Sequence, residues 1–140
     1  MKLLILFVTL CLSPFATLAQ TPLQAADVVL ADLLYVNRAV IVFADSPQDP
    51  NFVRQMELLM LDQGELALRD TLVIVDTDPT VVTDVRRAFR PRGFSLVLME
   101  KDGKAMVRKP LPWDLREITH AIDKSPLRRQ EVLERNPSGR

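Results

Sequence analysis

The polar side chains best placed to do chemistry lie between a short apolar run and a predicted helix. They are Asp45, Ser46, Gln48, Asp49 and Asn51. In open α/β sheets ligands bind at the carboxyl ends of strands, and the free N–H groups of a helix N-terminus favour anions and hydrogen-bond acceptors. These five residues are therefore our candidate ligand-binding rim. A structural role competes with this interpretation and is favoured, because Asp49-Pro50 is typical of a helix N-cap followed by a first-turn proline.

Four aspartates suggest a second kind of site at the same edge of the sheet. Asp45, Asp49, Asp76 and Asp78 follow two predicted strands, and parallel strands would bring them to one rim. Carboxylate oxygens are the ligands that Ca²⁺ and Mg²⁺ prefer. Neither loop has the dense alternation of a dedicated cation-binding loop, however, and Asp76 and Asp78 also fit ordinary turn roles. We expect no metal site and no cofactor.

The single histidine, His120, is a weak candidate for catalysis. At about 100° per residue it falls on the face of its predicted helix opposite Leu115, Ile118 and Ile122, so it should face solvent. A lone exposed histidine with no cysteine or serine beside it does not build a catalytic triad. We therefore expect no catalytic residue here.

Two further features have a structural and a functional interpretation. A basic series could grip phosphate or an acidic polymer, but interleaved acidic residues make a solvated helix face the favoured reading. The series is Arg86, Arg87, Arg90 and Arg92, with Asp84 and Glu100 interleaved. Trp113, beside Pro112, could form a binding surface, and an aromatic staple over the sheet is the favoured alternative.

The only cysteine, Cys11, lies in a segment typical of a secretory signal peptide. Met1-Lys2 is basic, Leu3–Leu12 is apolar, and Thr17 and Ala19 are the small residues that a signal peptidase requires. We expect cleavage after Ala19, which leaves a cysteine-free mature chain in the periplasm or secreted. The apolar run is short for a transmembrane helix. We therefore expect no integral membrane segment after cleavage, although a retained anchor is the alternative.

Charge and length limit the classes of function. The chain has 140 residues with 18 basic and 18 acidic side chains, and removal of Lys2 with the leader leaves 17 basic residues. Such a balance offers no broad field for nucleic acid. About 120 mature residues suffice for one domain. We place the signal peptide at 1–19, the domain at 20–125 and a polar, frayed tail at 126–140, and we expect a monomer.

Hydrophobic periodicity predicts the order helix, strand, helix, strand, helix, strand, strand, helix. The predicted strands are 39–43, 72–75, 94–99 and 105–108. The predicted helices are 25–36, one that begins at Pro50 and ends at Gly64 or reaches Leu68, 81–89, and one from 112. The first two strand-helix-strand crossovers predict parallel neighbours. Lys101-Asp102-Gly103 predicts a hairpin with a type I′ turn. The fold class is α/β: a thioredoxin-like three-layer sandwich with a four-stranded mixed sheet and helices on both faces.

From Val40 to about Glu131 the chain resembles a family catalogued as domain of unknown function 4174. The segments that carry the resemblance are Phe43-Ala44, Ser46 with Asp49-Pro50, Leu68-Arg69-Asp70, Arg92-Gly93-Phe94, Lys101-Asp102-Gly103-Lys104 and Pro126-Leu127-Arg128-Arg129-Gln130-Glu131. The resemblance implies a thioredoxin-like fold in exported bacterial proteins, with related domains in animal proteins of the extracellular matrix. It implies no reaction.

Alignment with ordinary thioredoxins removes their redox site. Gln48-Asp49-Pro50-Asn51 stands where a thioredoxin has Cys-Gly-Pro-Cys, and Phe94 stands at the position of the cis-proline. Without the two sulfurs, dithiol exchange and thiol peroxidase chemistry are unavailable.

The leading hypothesis is an exported, redox-inactive binding or structural module that recognises a protein or a small molecule. One alternative is an enzyme of unknown type that uses the polar loop Ser46–Asn51, which would need a deep pocket with perturbed carboxylate pKa values. Another is a small metal-binding or stress-related periplasmic protein.

Overall fold

The computed structural model describes residues 20–137. The predicted signal peptide, with Cys11 and the cleavage after Ala19, lies outside the described residues, as do residues 138–140. Within the described range no helix has both the length and the apolar character needed to cross a bilayer.

Five strands and six α-helices alternate along the described chain. The strands are β1 (Leu23–Gln24), β2 (Arg38–Phe43), β3 (Thr71–Asp76), β4 (Ser95–Met99) and β5 (Ala105–Lys109). The helices are α1 (Leu30–Leu33), α2 (Pro50–Met60), α3 (Gln63–Ala67), α4 (Asp84–Phe89), α5 (Leu115–Asp123) and α6 (Pro126–Arg135), with a 3₁₀ turn at Ala25–Asp27. The α/β class is confirmed.

The strands form one mixed sheet in the order β1-β3-β2-β4-β5. β2 and β3 are parallel, as the first crossover predicts. The second prediction is wrong, because β4 does not lie beside β3 but pairs antiparallel with β2, with Ser95 opposite Phe43. Between β3 and β4 the chain therefore passes to the other side of β2, and β4 then runs in the direction opposite to β2. β5 then pairs antiparallel with β4.

The predicted count of four strands is also wrong. Leu23 and Gln24 add a fifth strand by pairing parallel with Ile74 and Val75. Two residues are too few to show the alternation by which a strand is recognised in a sequence. The expected helix 25–36 is likewise broken into the 3₁₀ turn and the four-residue α1, and Tyr35 has a positive φ of 61° just after it.

Helices cover both faces of the sheet, so the central strand β2 is buried on both sides. Ala39, Ile41 and Phe43 face a cluster that includes Val85 and Phe89 of α4. Val40 and Val42 face the opposite cluster, which is completed by α2, α3 and α5. On α5 the predicted core residues Leu115, Ile118 and Ile122 are all buried.

One face of the predicted helix 81–89 is assigned incorrectly. Val82 was expected on the core face with Val85 and Phe89, but its side chain is 67% exposed. The helix begins only at Asp84, because the Thr83 hydroxyl caps it by accepting from the Arg86 N–H. Val82 therefore precedes the helix and does not share its periodicity.

The C-terminal segment is a helix where a frayed tail was expected. Pro126–Arg135 forms α6, and the Ser125 side chain caps it by accepting from the Arg128 N–H. Ser125-Pro126 is the same cap-plus-proline signal as Asp49-Pro50. It is easily missed because α6 has no buried residue of its own, so its periodicity gives no apolar stripe.

The predicted hairpin between β4 and β5 is confirmed, but its turn type is wrong. The Gly103 N–H donates to the Glu100 carbonyl at 2.9 Å. Gly103 has a φ of 84°, whereas Asp102 has no positive φ. A type I′ turn needs both central residues in that region, so Gly103 alone supplies the left-handed conformation.

We predict that Gly103→Ala lowers the free energy of unfolding by about 1–2 kcal/mol, since a side chain at this φ is strained. An added Cβ would also lie 2.9 Å from Leu34 Cδ2. Urea denaturation measures the change. The matched control is Gly64→Ala in α3, where helix propensity favours alanine and the effect should stay within about 1 kcal/mol. Equal stability of Gly103→Ala and the unmodified chain would contradict the prediction.

Candidate functional site

The predicted rim residues bond mainly to one another and to the start of α2. Ser46 Oγ donates to Gln48 Oε1 at 2.6 Å and accepts from the Gln48 N–H at 3.1 Å. Asp49 Oδ1 accepts from the N–H groups of Asn51 at 2.8 Å and Phe52 at 3.4 Å. The capping role of Asp49 is therefore confirmed. The ligand-binding role of the loop stays a prediction, with the exposed Asp45 and Gln48 at its surface.

Asp76 is used by a buried ion pair at the end of β3. Its Oδ1 lies 2.8 Å from Arg86 Nε, and its Oδ2 accepts from the Thr83 hydroxyl at 2.7 Å. Arg86 Nη2 also donates to the Ala44 carbonyl at 3.0 Å, and its guanidinium carbon lies 5.7 Å from the Phe43 ring centre. Arg86 therefore ties α4 to the ends of β2 and β3.

The four aspartates do not form one site. Asp78 accepts from the Thr80 hydroxyl at 2.6 Å and from the Thr80 N–H at 3.0 Å. These two hydrogen bonds lower the pKa of Asp78. Across residues 20–137, no three or more histidine, aspartate or glutamate side chains are grouped as metal ligands would be.

The remaining two candidates, His120 and Trp113, lie on α5 and just before it. His120 is exposed, as predicted. Trp113 packs against the core face that holds Val40 and Val42. It is held there by the fully buried Gln55, whose amide donates to the Trp113 carbonyl at 2.9 Å and accepts from its N–H at 2.7 Å. The staple interpretation of Trp113 fits this packing.

The basic series divides into paired and unpaired members. Arg86 pairs with Asp76, and Arg87 Nη1 lies 3.1 Å from Asp84 Oδ1. Arg90 and Arg92 instead line a cleft of about 450 Å³, together with Phe94, Ser95, Arg108 and Pro110. Ser95 is the β4 residue opposite Phe43, so this cleft lies at the same edge of the sheet as the predicted rim.

A buried arginine at the opposite end of β2 organises a cluster that was not predicted above. Arg38 is fully buried. Its Nη1 and Nη2 donate to the two carboxylate oxygens of Glu131 at 3.1 and 3.0 Å, and Nη1 also donates to the Arg69 carbonyl at 3.1 Å. Its Nε lies 2.6 Å from Glu100 Oε1. That N–H does not point at the oxygen, so the contact is an ion pair without a good hydrogen bond.

A second layer of charges surrounds Arg38 and its two glutamates. Lys101 Nζ lies 2.9 Å from both Glu131 Oε1 and Asp70 Oδ2, and Arg128 Nη1 lies 3.3 Å from Glu131 Oε2. Ser125 Oγ donates to Glu100 Oε2. We name this group the Arg38 cluster; it comprises Arg38, Asp70, Glu100, Lys101, Arg128 and Glu131. It contains three basic and three acidic side chains and is therefore electrically balanced.

Arg69 extends the same ion pairing across α3 and α5. Its Nε and Nη2 donate to Asp123 at 2.8 and 2.9 Å, and its Nη1 donates to Glu65 Oε2 at 2.7 Å. The hydrogen bond to Asp123, together with that to Glu65, outweighs burial and raises the pKa of Arg69. The same guanidinium lowers the pKa of Asp123.

The pKa values of the acidic members show which interaction dominates. Burial raises the pKa of Glu131, but hydrogen bonds from Arg38 and Lys101 outweigh it and bring that pKa to about 2. Burial also opposes ionisation of Asp70, and Lys101 and Arg135 overcome it to lower the pKa of that carboxyl. Both carboxylates are therefore held ionised, which suits structural ion pairs rather than proton transfer near neutral pH.

The sequence did contain a signal for this cluster. Three of the segments that carry the family resemblance supply most of its members. They are Leu68-Arg69-Asp70, Lys101-Asp102-Gly103-Lys104 and Pro126–Glu131. Arg38 itself was missed because it precedes an apolar strand, where a charged residue is normally taken as exposed.

A known family matches the stretch of chain that contains this cluster. The family described as domain of unknown function, DUF4174, matches residues 29–131. The chain belongs to this family. The DUF4174 match begins before α1 and ends at Glu131, so it contains every member of the Arg38 cluster. No curated protein matches the chain.

We predict that Arg38→Met destabilises the fold by about 3–5 kcal/mol, because it leaves Glu100 buried without its cation. The double variant Arg38→Met with Glu100→Met should recover part of the loss by removing that carboxylate. Urea denaturation at neutral pH measures both. Arg54→Met is the control, since it breaks an exposed pair with Glu57 and should cost at most about 1 kcal/mol. A loss below 1 kcal/mol for Arg38→Met would contradict the expected role.

The low pKa of Glu131 predicts an acid-sensitive stability. Because folding lowers this pKa from 4.5 to about 2, the contribution is complete above the unfolded value and is lost as the pH falls from about 4.5 through about 2. Glu131→Gln should therefore lower the free energy of unfolding at neutral pH by about 3 kcal/mol and flatten its fall in acid. Glu134→Gln, in the same helix, is the control. Parallel acid profiles for Glu131→Gln and the unmodified chain would exclude this linkage.

Proposed function

We propose that this DUF4174 protein is an exported, redox-inactive module with a thioredoxin-like fold that acts by binding. The sheet topology supports the fold assignment. One parallel crossover joins β2 to β3, and β4 returns antiparallel on the other side of β2 and continues into the antiparallel β5. Helices pack on both faces.

The observation that carries the redox-inactive part of the proposal is the chemistry at the start of α2. Amide side chains, Gln48 and Asn51, stand at the positions of the two thioredoxin sulfurs, and residues 20–137 contain no cysteine. A helix N-terminus activates such a cysteine by stabilising its thiolate. Here the Asp49 carboxylate already accepts from the Asn51 and Phe52 N–H groups. The nucleophile is therefore absent, and the N–H donors that would stabilise it are occupied by Asp49.

The hydrogen bonds of the loop favour binding over the enzyme alternative. A serine nucleophile needs a base that takes its proton, whereas Ser46 Oγ donates to the amide oxygen of Gln48. The Asp49 carboxylate is likewise engaged, because its Oδ1 accepts from the Asn51 and Phe52 N–H groups at the start of α2.

The test is a redox assay on protein expressed from the full chain and recovered from the exported fraction. We expect no reduction of insulin disulfides and no peroxide consumption. Mass spectrometry of the same sample should give a chain that begins at Gln20. Clear activity in either assay would contradict the proposal.

A gain-of-function variant tests the alignment itself. Gln48→Cys with Asn51→Cys places two thiols at the start of α2, and the thioredoxin-like alignment predicts that they form an intramolecular disulfide under mild oxidation. Gln48→Cys with Gln130→Cys is the control, because Gln130 lies in α6 and no such pairing is expected. Failure of the first pair to oxidise more readily than the control pair would exclude the alignment.

A further inference from the structure

We propose that the cleft between the end of α4 and β5 binds a small, multiply charged oxyanion, either a di- or tricarboxylate or a phosphate monoester. This inference rests on the proposed binding function and gives it a site and a class of ligand. The site lies at the same edge of the sheet as the predicted loop but uses other residues.

Three arginines from two separate parts of the chain line this cleft. Arg90 follows α4, Arg92 lies two residues later, and Arg108 lies on β5. The cleft measures about 450 Å³, within the range of roughly 300–1,000 Å³ of small-molecule sites. It lies at the edge where β2 ends, which is where open α/β sheets bind ligands.

These three arginines lack the partners that their neighbours have. Arg86 and Arg87, on the preceding helix, each pair with an aspartate. In contrast, no carboxylate in the described part of the chain lies within 4.0 Å of a side-chain nitrogen of Arg90, Arg92 or Arg108. Like charges gathered around one cleft repel one another. A bound anion would relieve this repulsion.

One of the three guanidinium groups is held in place before any ligand binds. Arg108 Nη2 donates to the carbonyl of Phe89, the last residue of α4, at 2.6 Å. This bond uses one of five guanidinium N–H donors and leaves the others for a ligand. Arg90 has a left-handed backbone with a φ of 47°, and its N–H donates to the Arg86 carbonyl at 2.9 Å. The site is thus partly preorganised, which reduces the entropic cost of binding.

The residues that line the cleft indicate the class of ligand. Guanidinium forks match carboxylate and phosphate oxygens with two parallel hydrogen bonds. The Ser95 hydroxyl adds a neutral polar group, while Phe94 and Pro110 add apolar surface. Several oxygens for three cations, together with a short carbon skeleton, satisfy such a lining. The small volume favours a compact ligand over an extended polymer.

The test is isothermal titration of protein expressed from the full chain with citrate and with inorganic phosphate, at low ionic strength. We expect saturable binding of at least one probe that weakens as salt is added. Arg92→Gln should weaken it at least about tenfold, a change of about 1.4 kcal/mol. Arg87→Gln is the matched control, because it removes the same charge from α4 outside the cleft and should leave the affinity unchanged.

Each outcome of the titration decides the inference. Absence of saturable binding for both probes overturns it, and so does an equal loss in Arg92→Gln and Arg87→Gln, which would indicate attraction by net charge alone. Arg108→Gln also removes a hydrogen bond to Phe89, so its urea midpoint is measured beside its affinity. If the Arg108→Gln variant unfolds, the result for Arg92→Gln alone decides the inference. The redox assay is independent, so a failed titration of a redox-inactive protein overturns the ligand class and leaves the rest of the proposed function intact.

Discussion

The packing of the sheet and of the last helix depends on the burial of one positive charge. Arg38 begins the central strand β2 and is fully buried, and an unpaired charge in that position would cost several kcal/mol. It is neutralised by Glu100 after β4 and by Glu131 on α6. These partners lie far from Arg38 along the sequence, so the charge can be satisfied only when the sheet and the last helix are in place. α6 has no buried residue of its own, and it is attached to the fold by charge.

The two ends of β2 therefore have different characters. At the Arg38 end the basic and acidic side chains are equal in number and are paired with one another. At the Phe43 end lie a polar loop bonded within itself and a separate cleft lined by three arginines that lack carboxylate partners. About 16 Å of strand separates the two ends, at the usual rise per residue. Structural ion pairing and the proposed ligand site can thus vary independently.

Much of the scaffold could be predicted from the sequence, because local signals agreed with tertiary packing. The apolar runs of β2 to β5, the Asp49-Pro50 start of α2 and the buried stripe of α5 all follow from short-range patterns. Long-range pairing was harder to predict. The direction of β4 depends on where the chain passes over β2, and the partners of Arg38 come from segments that no periodicity connects. α6 was missed because it has no buried residue to give an apolar stripe, and its contacts with distant charges cannot be seen in a local pattern.

The proposed ligand site lies at the same edge of the sheet as the predicted loop but uses different residues. Asp49 and Ser46 were recognised as polar residues at a helix start, and the structure shows them capping and bracing that start. Arg90 and Arg92 belonged to a basic series for which a solvated helix face was favoured over the gripping of phosphate or an acidic polymer. Their meeting with Arg108 depends on the antiparallel return of β5, which brings residue 108 back to the start of β4.

Native-state hydrogen exchange of α6 tests the central claim most directly, because a helix whose Glu131 neutralises the buried Arg38 should open together with the whole fold. We predict that the amides from Gln130 to Arg135 are protected nearly as strongly as those of β2. Exchange of these amides at the rate of an unfolded chain, while β2 stays protected, would contradict the account.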